Sequence, residues 1–140
     1  MKIALAGTEA DIARCFPVVA ELRRQLTAGE FVPRVLRQQA AGYRLAYVED
    51  GGEVRAVAGF RYLDTLAWGR ILYVDDLVTA PAQRSQGHGG RLFDWLVAQA
   101  GENDCDEMHL DSGVQRFGAH RFYLARHMDI IAHHFALKLK

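Results

Sequence analysis

Apolar positions along the chain follow two periods. Lys2 to Ala6 is a short apolar run closed by Gly7, which predicts a first strand. Thr8 then offers a helix N-cap with Asp11 three residues on, and Ile12, Phe16, Val19 and Leu22 recur at helical spacing. Pro17 lacks an amide donor and is expected to kink or divide that segment. Gly29-Glu30 reopens the chain, Phe31, Val35 and Leu36 continue the helical period, and Gly42 reads as a C-cap. From Tyr43 the period becomes two: Tyr43 to Val48 alternates, Asp50-Gly51-Gly52 turns, and Val54 to Arg61 alternates again, a hairpin. After a break at Trp68-Gly69-Arg70, Ile71 to Thr79 predicts a further strand. A helix with Leu92, Phe93, Leu96, Val97 and Ala100 on one face follows. It leads to a short strand, Glu107 to Asp111, which should lie parallel to its predecessor because a helix separates them. A helix over Gly118 to His127 and a terminal strand over Ile130 to Leu139, with Ile131, Phe135, Leu137 and Leu139 alternating, complete the pattern. The expectation is an α+β fold around a mixed sheet, in one domain covering residues 1–140.

Composition narrows what such a domain does. The 140 residues are 50% hydrophobic and 24% charged, enough apolar side chain for a real core. Seventeen basic and seventeen acidic residues cancel, so bulk charge favours neither nucleic acid nor an anionic membrane. Any anion must be caught locally. Cys15 and Cys105 fit no metal-ligand spacing and are too few for a disulfide framework. The opening residues are too short for a signal-peptide core, and no apolar run approaches the roughly 18 residues of a membrane span. The expected setting is the cytoplasm. His133 and His134 face opposite ways on a strand, and His120 and His127 have no nearby cysteine or paired acid, so no metal site is read.

One segment departs from ordinary core patterning. Arg84-Ser85-Gln86-Gly87-His88-Gly89-Gly90 lies between a strand and a helix, where glycines leave bare amides at the positive end of the helix dipole. A P-loop would need lysine and then serine or threonine after its last glycine, and Arg91-Leu92 stands there. A dinucleotide fingerprint would need a third glycine at Leu92. What remains is Arg-x-x-Gly-x-Gly, read as Arg84, Gly87 and Gly89.

With the strand Ile71 to Thr79 before it and Ala119-His120-Arg121-Phe122-Tyr123 downstream, this loop resembles the acetyl-CoA loop of the GNAT N-acetyltransferases. The resemblance spans most of the chain. It implies a mostly antiparallel mixed sheet whose two central parallel strands splay apart. It implies that the cofactor acetyl-CoA is held by Leu77, Val78 and Thr79, which would pair with the pantetheine amides as a surrogate strand. Arg84, Ser85, Gln86, Gly87, His88, Gly89 and Gly90 would take the pyrophosphate. Two departures stand out: Arg116 occupies a position where relatives often carry a cofactor-touching asparagine, and His127-Met128 replaces a Gly-Phe after the helix.

Acetyl transfer to an amine needs the amine uncharged, although a free alkylamine has a pKa of about 10. A general base, direct or through water, would remove that proton. Asp75 and Asp76 sit in mid-strand, where alternation sends them to opposite faces, so at most one of the two should reach the acceptor. Tyr73-Val74-Asp75-Asp76-Leu77 is similar to the acidic pair of the polyamine acetyltransferase branch, which implies Asp75 as base. The competing reading is an ion pair of either acid with Arg61 or Arg70. Tyr123 matches the family's tyrosine that gives a proton to the departing thiolate; core packing is its competing reading.

The fold implies an acceptor pocket lined by the two leading helices and nearby loops, with Asp76, Phe31 and Arg61 the substrate candidates. Direct transfer in a ternary complex to a small cationic primary amine is the leading expectation. A protein acetyltransferase or a noncatalytic acyl-CoA sensor is the alternative. A terminal strand would leave an apolar edge, and a homodimer would cover it.

Overall fold

The computed structural model describes residues 1–81 and 86–140. β1 (Lys2–Leu5) leads into α1 (Glu9–Leu22), then α2 (Ala28–Ala40), β2 (Arg44–Asp50), β3 (Glu53–Thr65), β4 (Gly69–Thr79), α3 (His88–Glu102), β5 (Glu107–Leu110) and α4 (Phe117–Ala125). Thr8 caps α1, its hydroxyl accepting from the Asp11 amide at 3.1 Å. The helix runs unbroken through Pro17. Proline removes the bond to the carbonyl of Ala13, and both residues are exposed, so water can take that carbonyl. Gly42 ends α2 at φ +105°, its amide donating to Gln39 while the Tyr43 amide reaches back to Gln38, a Schellman closure.

The strands form one sheet in the order β1-β2-β3-β4-β5. The first three neighbouring pairs are antiparallel, and β4 with β5 is the parallel pair the crossover helix predicts. Two compact units result, Met1–His109 and Leu110–Lys140. In the first, α1 and α2 bury Ile12, Cys15, Val19, Phe31 and Val35 against Leu45, Tyr47 and Val57. The helix α3 packs on β2, β3 and β4, with the Trp95 ring 5.9 Å from that of Phe60. Its buried stripe is Leu92, Phe93, Leu96 and Ala100; Val97, expected on that face, is exposed.

In the second unit, α4 buries Tyr123, and the expected strand over Ile130 to Leu139 does not form. The alternation is present in the side chains, but a strand also needs a partner for its amides and carbonyls. Among the described residues no segment pairs with it, and Ile131, Phe135, Leu137 and Leu139 are exposed. Among the described residues no helix is long and apolar enough to cross a membrane.

Candidate active site

The centre of the site is an irregularity in β4. Opposite β3, Gly59 pairs with Asp76 and Phe60 pairs with Val74, so Asp75 is an extra residue on β4. A bulge of this kind interrupts the alternation that would have sent Asp75 and Asp76 to opposite faces. Both line one cleft of about 330 Å³, with Arg23 and Phe31 from the first two helices and Tyr43 and Tyr73 from the sheet. Alternation would have sent them to opposite faces; the bulge brings both to the same cleft. The signal in the sequence was Gly59, a glycine inside a strand.

Each acid has partners. Arg61 grips Asp75 with two nitrogens, Nε at 3.0 Å and Nη2 at 2.9 Å. Arg23 Nε donates to Asp76 at 2.8 Å, and Arg23 Nη2 to the Asp75 carbonyl at 2.9 Å. The Tyr43 hydroxyl donates to Asp76 at 2.7 Å. Burial pushes the Asp75 carboxyl above its usual range, with Arg61 working against the shift. Burial, then Asp76, pushes the Tyr43 phenol far up. It therefore stays a donor. Gly59 makes room for that ring: a Cβ there would come within 1.7 Å of the Tyr43 Oη. The grip of Tyr43 and Arg23 on Asp76 was not expected from the sequence, because it depends on the bulge. Phe31 is both cleft lining and core, its ring 5.3 Å from that of Phe16.

The glycine segment lies at the far end of the same strand. Arg84 and Ser85 fall outside the described residues. Gln86 and Gly87 form the turn before α3, Gly87 at φ +81° as its N-cap, and His88, Gly89 and Gly90 are its first residues. Gly89 lies against the end of β4, where a Cβ would sit 2.8 Å from Thr79 Oγ1. On its outer side β4 meets only four residues of β5, which begins near Arg70, where the Asp106 amide donates to the Arg70 carbonyl at 2.7 Å. At about 3.3 Å per residue β5 runs out before Leu77, Val78 and Thr79. Those three pair with Ala58, Val57 and Ala56 on the β3 side. His88 is buried, its Nε2 3.1 Å from Asp50, and its Nδ1 has no hydrogen-bond partner among the described residues. The end of β4 beyond β5, the helix start where Gly89 packs on Thr79, and His88 Nδ1, unpartnered among the described residues, could together hold an extended amide-bearing ligand with an anionic end.

In the second unit, Tyr123 is buried on α4, and burial raises its phenol pKa while Arg116 opposes the rise. The proton stays on its oxygen at neutral pH. Arg116 is the N-cap residue of that helix.

A model of the acetyltransferase (GNAT) family matches residues 9–128. The chain belongs to that family. A curated relative, the uncharacterized N-acetyltransferase YhdJ of Bacillus subtilis (strain 168), is 32% identical over 112 residues, 79% of either chain. The fold matches a ribosomal-protein-alanine N-acetyltransferase from Brucella melitensis biovar Abortus 2308, with TM-score 0.84 and 17% identity over 99% of this chain and 100% of that one. It also matches an aminoglycoside acetyltransferase from an uncultured soil metagenomic sample, with TM-score 0.81 and 15% identity over 99% and 96% of the two chains. The GNAT chain is thus an N-acetyltransferase, of a family that generally takes its acetyl group from acetyl-CoA.

Proposed function

We propose that this GNAT enzyme, one domain over residues 1–140, moves the acetyl group of acetyl-CoA directly to a small cationic primary amine in a ternary complex. The observation that carries the reading is the bulge at Asp75, which turns both carboxylates into one cleft with Tyr43 and Arg23. A cavity of about 330 Å³ is at the lower end of small-molecule sites. It is more suited to a small amine than to a folded protein surface.

Leu77, Val78, Thr79 and residues 84–90 would hold acetyl-CoA, which supplies the thioester whose acetyl carbon becomes bonded to the amine nitrogen. Asp75 takes the ammonium proton, either directly or through water. Its raised pKa brings it closer to the amine and makes it a better base than an ordinary aspartate. Arg61 holds that carboxylate in place, and the Tyr43–Asp76–Arg23 network leaves Asp76 to receive the positive charge of the acceptor. Tyr123 keeps its proton and gives it to the departing sulfur. The free thiols Cys15 and Cys105 suit a cytoplasmic enzyme.

The test is release of free CoA from acetyl-CoA over a panel of polyamines, aminoglycosides, amino acids and lysine-bearing peptides. The expected result is turnover with a small cationic amine and little with peptides. Saturable acetyl-CoA binding without CoA release from any amine would leave the noncatalytic sensor in its place.

A further inference from the structure

The helix that lines the cleft opposite the two acids carries the opposite charge. Phe31, Arg34, Val35 and Gln38 of α2 all line it, and steps of three, four and seven residues keep them on one helix face. Phe31 and Val35 are buried in the core, which fixes that face, while Arg34 stays exposed. The other charges of the cleft are matched in pairs: Arg61 holds Asp75 at 2.9 Å, and Arg23 holds Asp76 at 2.8 Å. Arg34 is left over. Its ion pair with Glu30, at 3.6 Å, joins neighbouring turns of α2 in the open, and Glu30 also accepts from the Thr27 amide at the helix start, at 3.3 Å. An exposed pair of this kind holds a guanidinium only loosely.

We propose that the acceptor amine also bears a carboxylate, as an amino acid does, and that Arg34 binds that carboxylate. This rests on the cleft being the acceptor site, and it narrows which amines enter. With the ammonium group at Asp75 and Asp76, whatever else the acceptor carries lies within about 330 Å³ of space bordered by Arg34 and Arg23. A polyamine brings a further ammonium into that space, where like charges repel. A single carboxylate matches the one loosely held cation. Arg34 can meet it with two parallel N–H donors, and the Gln38 amide, one turn along the same face, adds another. A phosphate, at about −1.5 to −2 charges, exceeds that balance and is repelled by the two acids.

Matched pairs test this. Release of CoA from acetyl-CoA is followed on the full chain with amino acids of increasing separation between amine and carboxylate, with the decarboxylated amine of each, and with aminoalkyl phosphates. For the best amino acid, kcat/KM is expected to exceed that of its decarboxylated partner by about tenfold or more. Arg34→Gln, a substitution between good helix formers, should bring that ratio close to one, chiefly through KM of the amino acid. Arg34→Lys keeps the charge without the fork and should restore part of the ratio. Calorimetric titration of the same amino acid into the protein with CoA present reads binding without turnover, and its affinity should fall in Arg34→Gln by a similar factor. Ratios at or below one for every pair overturn the proposal, and turnover of the plain amines then leaves the acceptor role of the cleft standing. A preference that survives Arg34→Gln, or an aminoalkyl phosphate that outruns the best amino acid, overturns it too. No CoA release from any member, with acetyl-CoA bound, removes the acceptor reading and this proposal together.

Discussion

Asp75 is held between opposing influences: burial favours its neutral form, and the two-pronged contact from Arg61 favours its charged form. Burial is the larger, so the folded pKa lies above that of the unfolded chain. Two consequences follow from that sign. As base, Asp75 must be ionised, so the acidic limb of kcat/KM should lie above the ordinary carboxylate range. Asp75→Asn should remove that limb and cut turnover by about a hundredfold or more. For stability, the native state binds the proton more tightly than the unfolded state. The contribution is complete below the unfolded pKa and is lost as pH rises through the folded one. Chemical denaturation of Asp75→Asn should therefore show a shallower fall of stability over that window. An acidic limb unchanged in Asp75→Asn assigns the deprotonation to water or another group.

The bulge in β4 and the glycine opposite it act as one unit at the scale of strands. Gly59 on β3 leaves the volume that Tyr43 fills, and Tyr43, just before β2, reaches Asp76 only through that gap. Gly59→Ala is expected to displace the ring, with a cost of about 1–3 kcal/mol for overpacking. It should also reduce activity, because Asp76 loses its phenol donor. With Gly59→Ala and Tyr43→Ala together, the clash has no partner, and the stability loss should fall below the sum of the single losses. Additive losses in urea unfolding would mean the two residues do not meet. The same pair shows what could be read from the residues alone. Helices, hairpin and crossover were legible because each is a local pattern of period, cap and turn, Thr8 and Gly42 included. The bulge depends on the register between two strands; Gly59 inside β3 signals an irregularity but not which residue of β4 is extra, and so Asp75 and Asp76 were expected on opposite faces. Ile130 to Leu139 shows the reverse case: its period is that of a strand, but among the described residues no ladder forms on it.

For the whole molecule, zero net charge removes long-range attraction for a polyanion, so affinity for acetyl-CoA must come from short-range groups. On the proposed reading the start of α3 and the end of β4, brought together by the contact of Gly89 with Thr79, would be such groups. Filling that contact with Gly89→Ala should weaken acetyl-CoA binding, measured by calorimetry, more than it lowers the melting temperature of the free protein. Binding itself should stabilise the fold. At a hundred times the dissociation constant, a ligand that binds only the native state adds about 2.7 kcal/mol. For a chain of this length that corresponds to a rise in melting temperature of roughly 8 °C. The ligand shift should shrink in Gly89→Ala. If acetyl-CoA produces no shift in the wild-type protein, the cofactor reading of residues 84–90 fails.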